Sequence, residues 1–289
     1  MRMTNKYNLN PLIIRPMEAP VRPEDGRFRV TELIDSPTVR KLKQIHWDEL
    51  VWDWSEFLEA DMGTGYHARM ECNRDDDTLV EHHMETTCGQ YALHGTCDCI
   101  QGDTIYDHKS AKVGYLQLHF DGITCQTNLY ALMARREGRT INHLVGLIRL
   151  KNWDWKMIAF GHGPNDYPPI AFESAVLPLW SEAQQTQFLE ERIALHTAKD
   201  LVPCTPAERW QTSASYAVMS GSRARAKRIL ETREDAERYI QENRIKDAWV
   251  QERPGCALRC LRWPDGRSFC PVRAVCPFVD FVGKGPSYV

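Results

Sequence analysis

The stretch Gly95–Lys109, with the sequence GTCDCIQGDTIYDHK, decides the predicted fold. Its two halves are rich in strand-forming residues, and residues 101–103 between them have the composition of a turn. The sequence therefore predicts a β-hairpin. Side chains two residues apart on a strand share a face, so Asp107 and Lys109 point the same way. Asp98 on the neighbouring strand can face that same side.

Two carboxylates beside a lysine suit metal-assisted hydrolysis of a phosphodiester. Carboxylate oxygens hold a hard divalent cation, which polarises the phosphate and acidifies a bound water. A lysine adds a fixed positive charge near the attacking water and near the negative charge that develops at phosphorus. A solvated hairpin can carry the same triplet, Asp107-His108-Lys109, by chance. Only the segments on either side of the hairpin can distinguish a metal site from a solvated hairpin.

Before the hairpin, the sequence predicts helical structure followed by one strand. Ser36 and Pro37 begin a helical region that extends over residues 37–59. Residues 63–71 favour a second transition from loop to helix, which would place His67 near a helix start. The β-branched and apolar residues of 78–86 predict the first strand of the sheet.

After the hairpin, residues 114–120 favour an irregular segment or a short strand. Residues 124–138 then predict a helix that a glycine ends, with Gln126 and Tyr130 one turn apart on one face. Residues 141–150 are rich in branched apolar side chains and predict a fourth strand. The resulting order is helix, three strands, helix, strand.

This order and its polar residues resemble the PD-(D/E)XK nuclease superfamily, in particular its RecB-like branch. That branch carries Gly-Thr-x-x-His on a helix, Gly-x-x-Asp and Asp/Glu-x-Lys on successive strands, and Gln-x-x-x-Tyr on a later helix. The corresponding segments here are Gly63-Thr64-Gly65-Tyr66-His67, Gly95-Thr96-Cys97-Asp98, Asp107-His108-Lys109 and Gln126-Thr127-Asn128-Leu129-Tyr130. The resemblance covers about residues 30–165, and four motifs in the right order are far more specific than any one of them.

The resemblance implies a role for each matched residue. His67, Asp98 and Asp107 would be metal ligands, and Lys109 would position or activate the water. Gln126 and Tyr130 would orient the catalytic groups or the DNA strand. An imidazole beside two carboxylates suits Mn²⁺ somewhat better than an all-oxygen site does, so we expect Mg²⁺ or Mn²⁺.

The composition is that of an ordinary folded protein. With 43% hydrophobic and 26% charged residues the chain is not disordered, and a net charge of −3 means that nucleic-acid binding would need a local basic patch. No apolar run approaches the roughly 18 residues that cross a bilayer, and a polar stretch follows Met1 where a signal peptide would have an apolar core. We therefore expect a cytoplasmic protein, of a bacterium or a phage-infected cell.

The chain is predicted to have three parts. Residues 1–29 contain several prolines and little periodicity, and they predict an extended N-terminal arm. Residues 30–200 predict an α/β nuclease core with a mixed sheet flanked by helices, which includes a strand near 168–172 and a helix over 182–198. The prolines near residue 203 mark a boundary, and 201–289 predict a helical lobe that bears cysteines.

A basic run and a helix are predicted within this lobe. Residues 222–228, SRARAKR, could contact backbone phosphates or form a solvated turn, and the sequence favours neither interpretation. The run precedes a predicted helix over 231–243.

Ten cysteines in a reducing compartment favour metal ligation over disulfides. In RecB-like nucleases, a [4Fe–4S] cluster is often bound by three cysteines near the C-terminus and one distant cysteine. Here Cys270 and Cys276 resemble the closing pair, Cys260 the third ligand and Cys204 the distant one, although the spacing from Cys260 to Cys270 is longer than usual. Cys256 competes with Cys204, and a local site of that kind would suit zinc equally well. Free, buried cysteines are the third alternative.

These observations predict a metal-dependent deoxyribonuclease in recombination or repair, acting as an exonuclease on single strands or ends. DNA is the expected partner, with a recombinase, a helicase or a single-strand-binding protein as possible further partners. One rival is a nuclease-like subunit that binds or scaffolds nucleic acid without turnover, for which Asp98, Asp107 and Lys109 would not all be needed. A second is a zinc-stabilised interaction module, which leaves residues 63–130 unexplained.

Overall fold

The computed structural model describes residues 1–72, 76–161, 167–222, 225–262 and 268–279. The chain forms two compact units that divide between Asp200 and Leu201. The first contains the hairpin from which the sequence analysis started, and the second contains the C-terminal cysteines.

The first unit is a mixed α/β structure. Its strands are β1 (Arg2–Thr4), β2 (Arg27–Arg29), β3 (Val51–Asp53), β4 (Thr78–Cys88), β5 (Tyr91–Gln101), β6 (Thr104–Ala111), β7 (His143–Leu150) and β8 (Phe172–Leu177). Its helices are α1 (Pro11–Ile14), α2 (Val30–Ile34), α3 (Pro37–Ile45), α4 (Leu58–Glu71), α5 (Tyr115–Arg136), α6 (Trp155–Ala159) and α7 (Glu182–Thr197), with 3₁₀ turns at Trp47–Glu49 and Trp54–Glu56. The predicted mixed sheet flanked by helices is confirmed.

The central sheet has six strands and a fork beside β5. Strand β4 pairs antiparallel along one edge of β5, from Thr78 opposite Gln101 to Cys88 opposite Tyr91. Two strands share the opposite edge of β5, because β2 pairs in parallel with residues 92–94 and β6 pairs antiparallel with residues 99–101. Strands β7 and β8 extend the sheet beyond β6. Residues 95–98 of β5 therefore lie between two partner strands, at the point where β6 diverges.

Helix α5 packs against this sheet and fills the core. Its buried residues include Ile123, Leu129 and Leu132. Close packing requires glycine at two sheet positions: a Cβ at Gly95 would lie 2.9 Å from Tyr130 Cε1, and one at Gly146 would lie 2.9 Å from Ile123 Cδ1. The glycine of the Gly-x-x-Asp motif thus has a packing function.

Several predicted elements of the first unit need correction. The N-terminal segment is not simply an extended arm, since β1 pairs with β3 and β2 joins the central sheet. The helix predicted over 37–59 ends at Ile45, after which β3 and two 3₁₀ turns precede α4. The strand predicted near 168–172 lies slightly later, as β8.

Two corrections concern helices that carry motif residues. Helix α4 begins at Leu58, so His67 lies in its C-terminal half and not near its start. Helix α5 begins at Tyr115, so residues 115–120 are helical and not irregular or strand. Gly114, with φ 88°, precedes this helix, and no side-chain cap marks its start. The predicted strands 78–86 and 141–150, the hairpin and the helix over 182–198 are confirmed within a few residues.

The second unit is built on a small sheet, which corrects the prediction of a helical lobe. Strands β9 (Ser215–Ser220), β10 (Arg228–Leu230) and β11 (Ala248–Arg253) are antiparallel, with β9 in the centre. Its only regular α-helix among the described residues, α8 (Arg233–Glu242), confirms the helix predicted over 231–243. Two 3₁₀ turns, Leu258–Cys260 and Arg273–Val275, carry or flank the cysteines.

Among the described residues of both units, no helix combines the length and the apolar character that crossing a bilayer requires.

Candidate metal centre

Asp98 lies at the fork of the sheet. It is buried, and its Oδ2 accepts a hydrogen bond of 2.7 Å from the backbone N–H of His108 on β6. Its other oxygen, Oδ1, lies 3.6 Å from Nδ1 of His67. The divergence of β6 from β5 makes room for the carboxylate, so one oxygen is fixed by the sheet and the other faces helix α4.

His67 contacts Glu81, a residue that was not predicted from the sequence to belong to this site. Its Nδ1 lies 2.8 Å from Oε1 of Glu81, which is on β4. Ligand atoms of His67, Glu81 and Asp98 all lie within 4.8 Å of one another, which a single divalent cation could bridge. The structure therefore groups Glu81, and not Asp107, with His67 and Asp98.

Asp107 instead forms an ion pair with Lys109. The Nζ atom of Lys109 lies 2.9 Å from Oδ1 and 2.7 Å from Oδ2 of Asp107. The Asp107 side chain is 1% exposed, whereas that of Lys109 retains 27% exposure. The expectation that Asp107 and Lys109 face the same way is confirmed.

Burial and charge shift the pKa values of these groups. Burial raises the pKa of Asp98, although Lys109 and His67 oppose the shift. Burial likewise raises the pKa of Asp107 to about 6, against the charge of Lys109. Burial lowers the pKa of Lys109, but the carboxylates of Asp107 and Asp98 outweigh it and the net shift is upward. Two buried carboxylates in one site thus favour a nearby positive charge.

His108, between the two predicted catalytic residues, borders the same site. It is buried, its ring centroid is 6.3 Å from that of His67, and its Nδ1 has no hydrogen-bond partner among the described residues. Burial, followed by the charge of His67, lowers its pKa to about 4. The imidazole is therefore neutral near pH 7 and retains a free nitrogen.

Gln126 and Tyr130 lie on α5, on the core side of the sheet. Both are buried. The Tyr130 ring packs against Gly95, three residues before Asp98, and burial raises the pKa of its hydroxyl. The pair supports the strand that carries Asp98.

No protein-family model and no curated protein matches the sequence. The structure is similar to that of SSO0001, with 17% identity, a TM-score of 0.43 and coverage of 65% of this chain and 82% of that chain. It is also similar to a phage-related exonuclease from Haemophilus somnus 129PT, with 11% identity, a TM-score of 0.36 and coverage of 59% and 91%. At these values neither likeness assigns a function.

The second unit brings four of the predicted cysteines together. One cavity is lined by Cys204, Cys260, Cys270 and Cys276, with Arg209 and Arg273 also in its wall. Arg273 donates a hydrogen bond of 2.7 Å from Nε to the backbone oxygen of Cys260, which connects the last 3₁₀ turn to the preceding one. These are the four cysteines that the resemblance implies as cluster ligands.

Cys256 does not line that cavity. It is buried, and its sulfur lies 3.8 Å from the hydroxyl of Thr212. Burial raises the pKa of Cys270 to about 11. Burial also raises the pKa of Cys260, and the neighbouring Cys204 and Cys276 raise it further. A group bound there would have to displace these thiol protons.

The predicted basic run lies only partly within the described residues, since Arg223 and Ala224 are outside them. The N–H of Lys227 donates to the backbone oxygen of Val218, and Arg228 begins β10. The described part of the run therefore leads into a strand.

Proposed function

We propose that this protein is a metal-dependent nuclease that hydrolyses phosphodiester bonds in DNA. The observation that carries the proposal is the arrangement at the fork, where His67 and the Asp98 carboxylate face one point beside the Asp107–Lys109 ion pair. Hydrolysis of a phosphodiester needs carboxylates for a cation and a fixed positive charge for the transition state, and both are within this one site.

The residues have separate tasks in this proposal. His67 and Asp98 would hold Mg²⁺ or Mn²⁺, which when bound polarises the phosphate and acidifies a water. Lys109, held in place by Asp107, would orient the attacking water and offset the negative charge that develops on the phosphate oxygens. The role of Asp107 as a further ligand of the cation is a prediction from the resemblance. Gln126 and Tyr130 would fix the strand that carries Asp98.

The finer parts of the proposal rest on the sequence resemblance. They are the preference for DNA, action on single strands or ends, a role in recombination or repair, and partners such as a recombinase or a helicase. The rival is a catalytically silent binding subunit. The presence of Asp98, Asp107 and Lys109 in one site favours the enzyme, because binding alone does not need all three.

Incubation with end-labelled single- and double-stranded DNA in the presence of Mn²⁺ tests the proposal. We expect cleavage by the wild-type protein and its loss in Lys109→Ala. Lys151→Ala is the matched control, because Lys151 also forms an ion pair, with Glu59, outside the site. Cleavage that persists in Lys109→Ala, or that is absent in the wild type with either Mn²⁺ or Mg²⁺, would contradict the proposal.

We further propose that Cys204, Cys260, Cys270 and Cys276 bind a [4Fe–4S] cluster, with zinc as the alternative occupant. Their joint position around one cavity supports ligation by thiolates. Such a group would stabilise the second unit and take no part in the cleavage.

A further inference from the structure

Glu81 interrupts a long strand directly opposite Asp98. In β4, Val80 pairs with Cys99 and His82 pairs with Cys97, so Glu81 falls opposite Asp98 without forming a regular pair. Its φ is 50°, in the left-handed region that glycine and asparagine usually occupy. The backbone thus departs from the regular ladder at the position that faces the buried carboxylate.

The Glu81 side chain meets two groups from other elements. Its Oε1 lies 2.8 Å from Nδ1 of His67 on α4, and Oδ1 of Asp98 on β5 lies 3.6 Å from the same nitrogen. The side chains of His67 and Glu81 are 24% and 31% exposed, so the cluster can be reached from solvent. One imidazole and two carboxylates from three elements therefore converge on one accessible point.

A simple ion pair does not account for this convergence. His82 and Glu137 form a comparable pair, with 2.9 Å between Nε2 and Oε2, and the second group beside Glu137 is the guanidinium of Arg139, at 3.8 Å. At His67 the second group is instead the buried carboxylate of Asp98, 3.6 Å from the same nitrogen, and two carboxylates so close together favour a cation between them. The buried His108, with an unpartnered Nδ1, lies next to the same cluster and is a second, separate indication of a missing ligand partner.

We propose that Glu81 is a direct metal ligand that completes a three-residue set with His67 and Asp98. Mixed nitrogen and oxygen donors suit Mn²⁺, and the remaining coordination positions are open to water and a phosphate oxygen. The inference rests on the proposed function for what the metal does. It goes beyond that function by giving the metal a ligand outside the four sequence motifs, while Asp107 is held by Lys109.

Isothermal titration of the metal-free full-length protein with Mn²⁺ tests the inference without any nuclease assay. We expect Glu81→Gln to weaken Mn²⁺ binding by at least about tenfold, the smallest loss that mutation of a metal site's outer partners typically causes. Glu137→Gln removes the carboxylate of the comparable His82 pair and should leave the Mn²⁺ affinity unchanged. Equal losses in the two variants would overturn the inference.

A double-mutant comparison separates a ligand from a residue that only orients His67. If Glu81 acts solely through His67, adding Glu81→Gln to His67→Asn has no further effect on Mn²⁺ affinity, which would refute direct ligation. A direct ligand weakens binding further in that background. Wild-type protein that binds Mn²⁺ through Glu81 but leaves DNA intact would refute the nuclease and retain this site. If the wild-type protein cleaves DNA and Glu81→Gln binds Mn²⁺ as tightly as the wild type, the nuclease is retained and Glu81 is refuted as a ligand.

Discussion

Lys109 donates a hydrogen bond of 2.9 Å from Nζ to Oδ1 of Asp107, and the same nitrogen lies 2.7 Å from Oδ2. Asp107 is buried while Lys109 is partly exposed, so the pair is intermediate between an internal and a surface salt bridge. Removing the lysine leaves a buried carboxylate without its counter-charge.

We therefore expect Lys109→Met to lower the free energy of unfolding by roughly 2 kcal/mol, between the values typical of exposed and buried pairs. Urea denaturation at pH 8 measures the effect. Adding Asp107→Asn should recover part of the loss, since the buried carboxylate that lost its counter-charge is then also removed. A double variant that is less stable than the single one would show that the pair is not the source of the loss.

Substitution of Gly95 tests the close approach of α5 to β5. In Gly95→Ala the new Cβ would lie 2.9 Å from Tyr130 Cε1 and 3.0 Å from Val30 Cγ2, so one of these side chains must move. We expect a loss of about 1–3 kcal/mol in stability, as for other overpacked cores, together with slower DNA cleavage because the strand carrying Asp98 shifts.

Gly63→Ala is the matched control, because Gly63 belongs to another of the four motifs but lies inside α4 with open space around it. Alanine is favoured over glycine in a helix, so this variant should gain up to about 1 kcal/mol. Thermal unfolding of both variants gives the comparison. A Gly95→Ala protein as stable as the wild type would mean that α5 does not pack as closely as described.

The buried His196 should make the stability of the first unit decrease as the pH falls. It is buried on α7, its Nε2 lies 3.1 Å from the backbone oxygen of Leu33, and burial together with the charge of Arg192 lowers its pKa to about 4. A histidine whose folded pKa lies below its usual 6.5 contributes stability that is complete above pH 6.5. That stability is lost progressively as the pH falls towards 4.

The expected loss for the wild type between pH 7.5 and 5 is on the order of 2 kcal/mol from this group alone. Urea denaturation of His196→Gln at both pH values should show a smaller decrease, because glutamine can bond to Leu33 without titrating. The exposed His143, replaced in the same way, should leave the wild-type decrease intact. Parallel pH profiles for wild type and His196→Gln would rule out this assignment.

The hairpin was predictable because strand periodicity is a local property. Alternation alone places Asp107 and Lys109 on one face, and their ion pair confirms it. The fork was not predictable, because it depends on β2 returning from the N-terminal segment to pair with residues 92–94. A proline-rich segment without periodicity gives no sign of that pairing.

Glu81 was missed for a related reason. It is 14 residues from His67 in the chain, and only the packing of α4 over β4 and the pairing of β4 with β5 bring the three side chains together. No spacing rule links a helix residue to a carboxylate in the next strand. The start of α5 was missed because no side-chain cap marks it, and the helix continues through Gly122.

The small sheet of the second unit had a readable signal that the sequence analysis did not use. Residues 215–220, SYAVMS, form a short apolar run, and Ala217, Val218 and Met219 are all buried in the central strand. Such a run is typical of a strand that is covered on both faces.

The cysteine cavity predicts which thiol is the distant ligand. Cys204 lines the cavity with Cys260, Cys270 and Cys276, whereas Cys256 contacts Thr212 outside it. After anaerobic purification, we expect Cys204→Ser to lose bound iron and the brown colour of an iron–sulfur cluster, and Cys256→Ser to retain both. Elemental analysis for iron and zinc with a visible absorption spectrum makes the measurement.

Loss of the metal in Cys256→Ser with retention in Cys204→Ser would reverse the assignment. Zinc bound to colourless wild-type protein would identify a structural zinc site, because four thiolates suit that ion equally well.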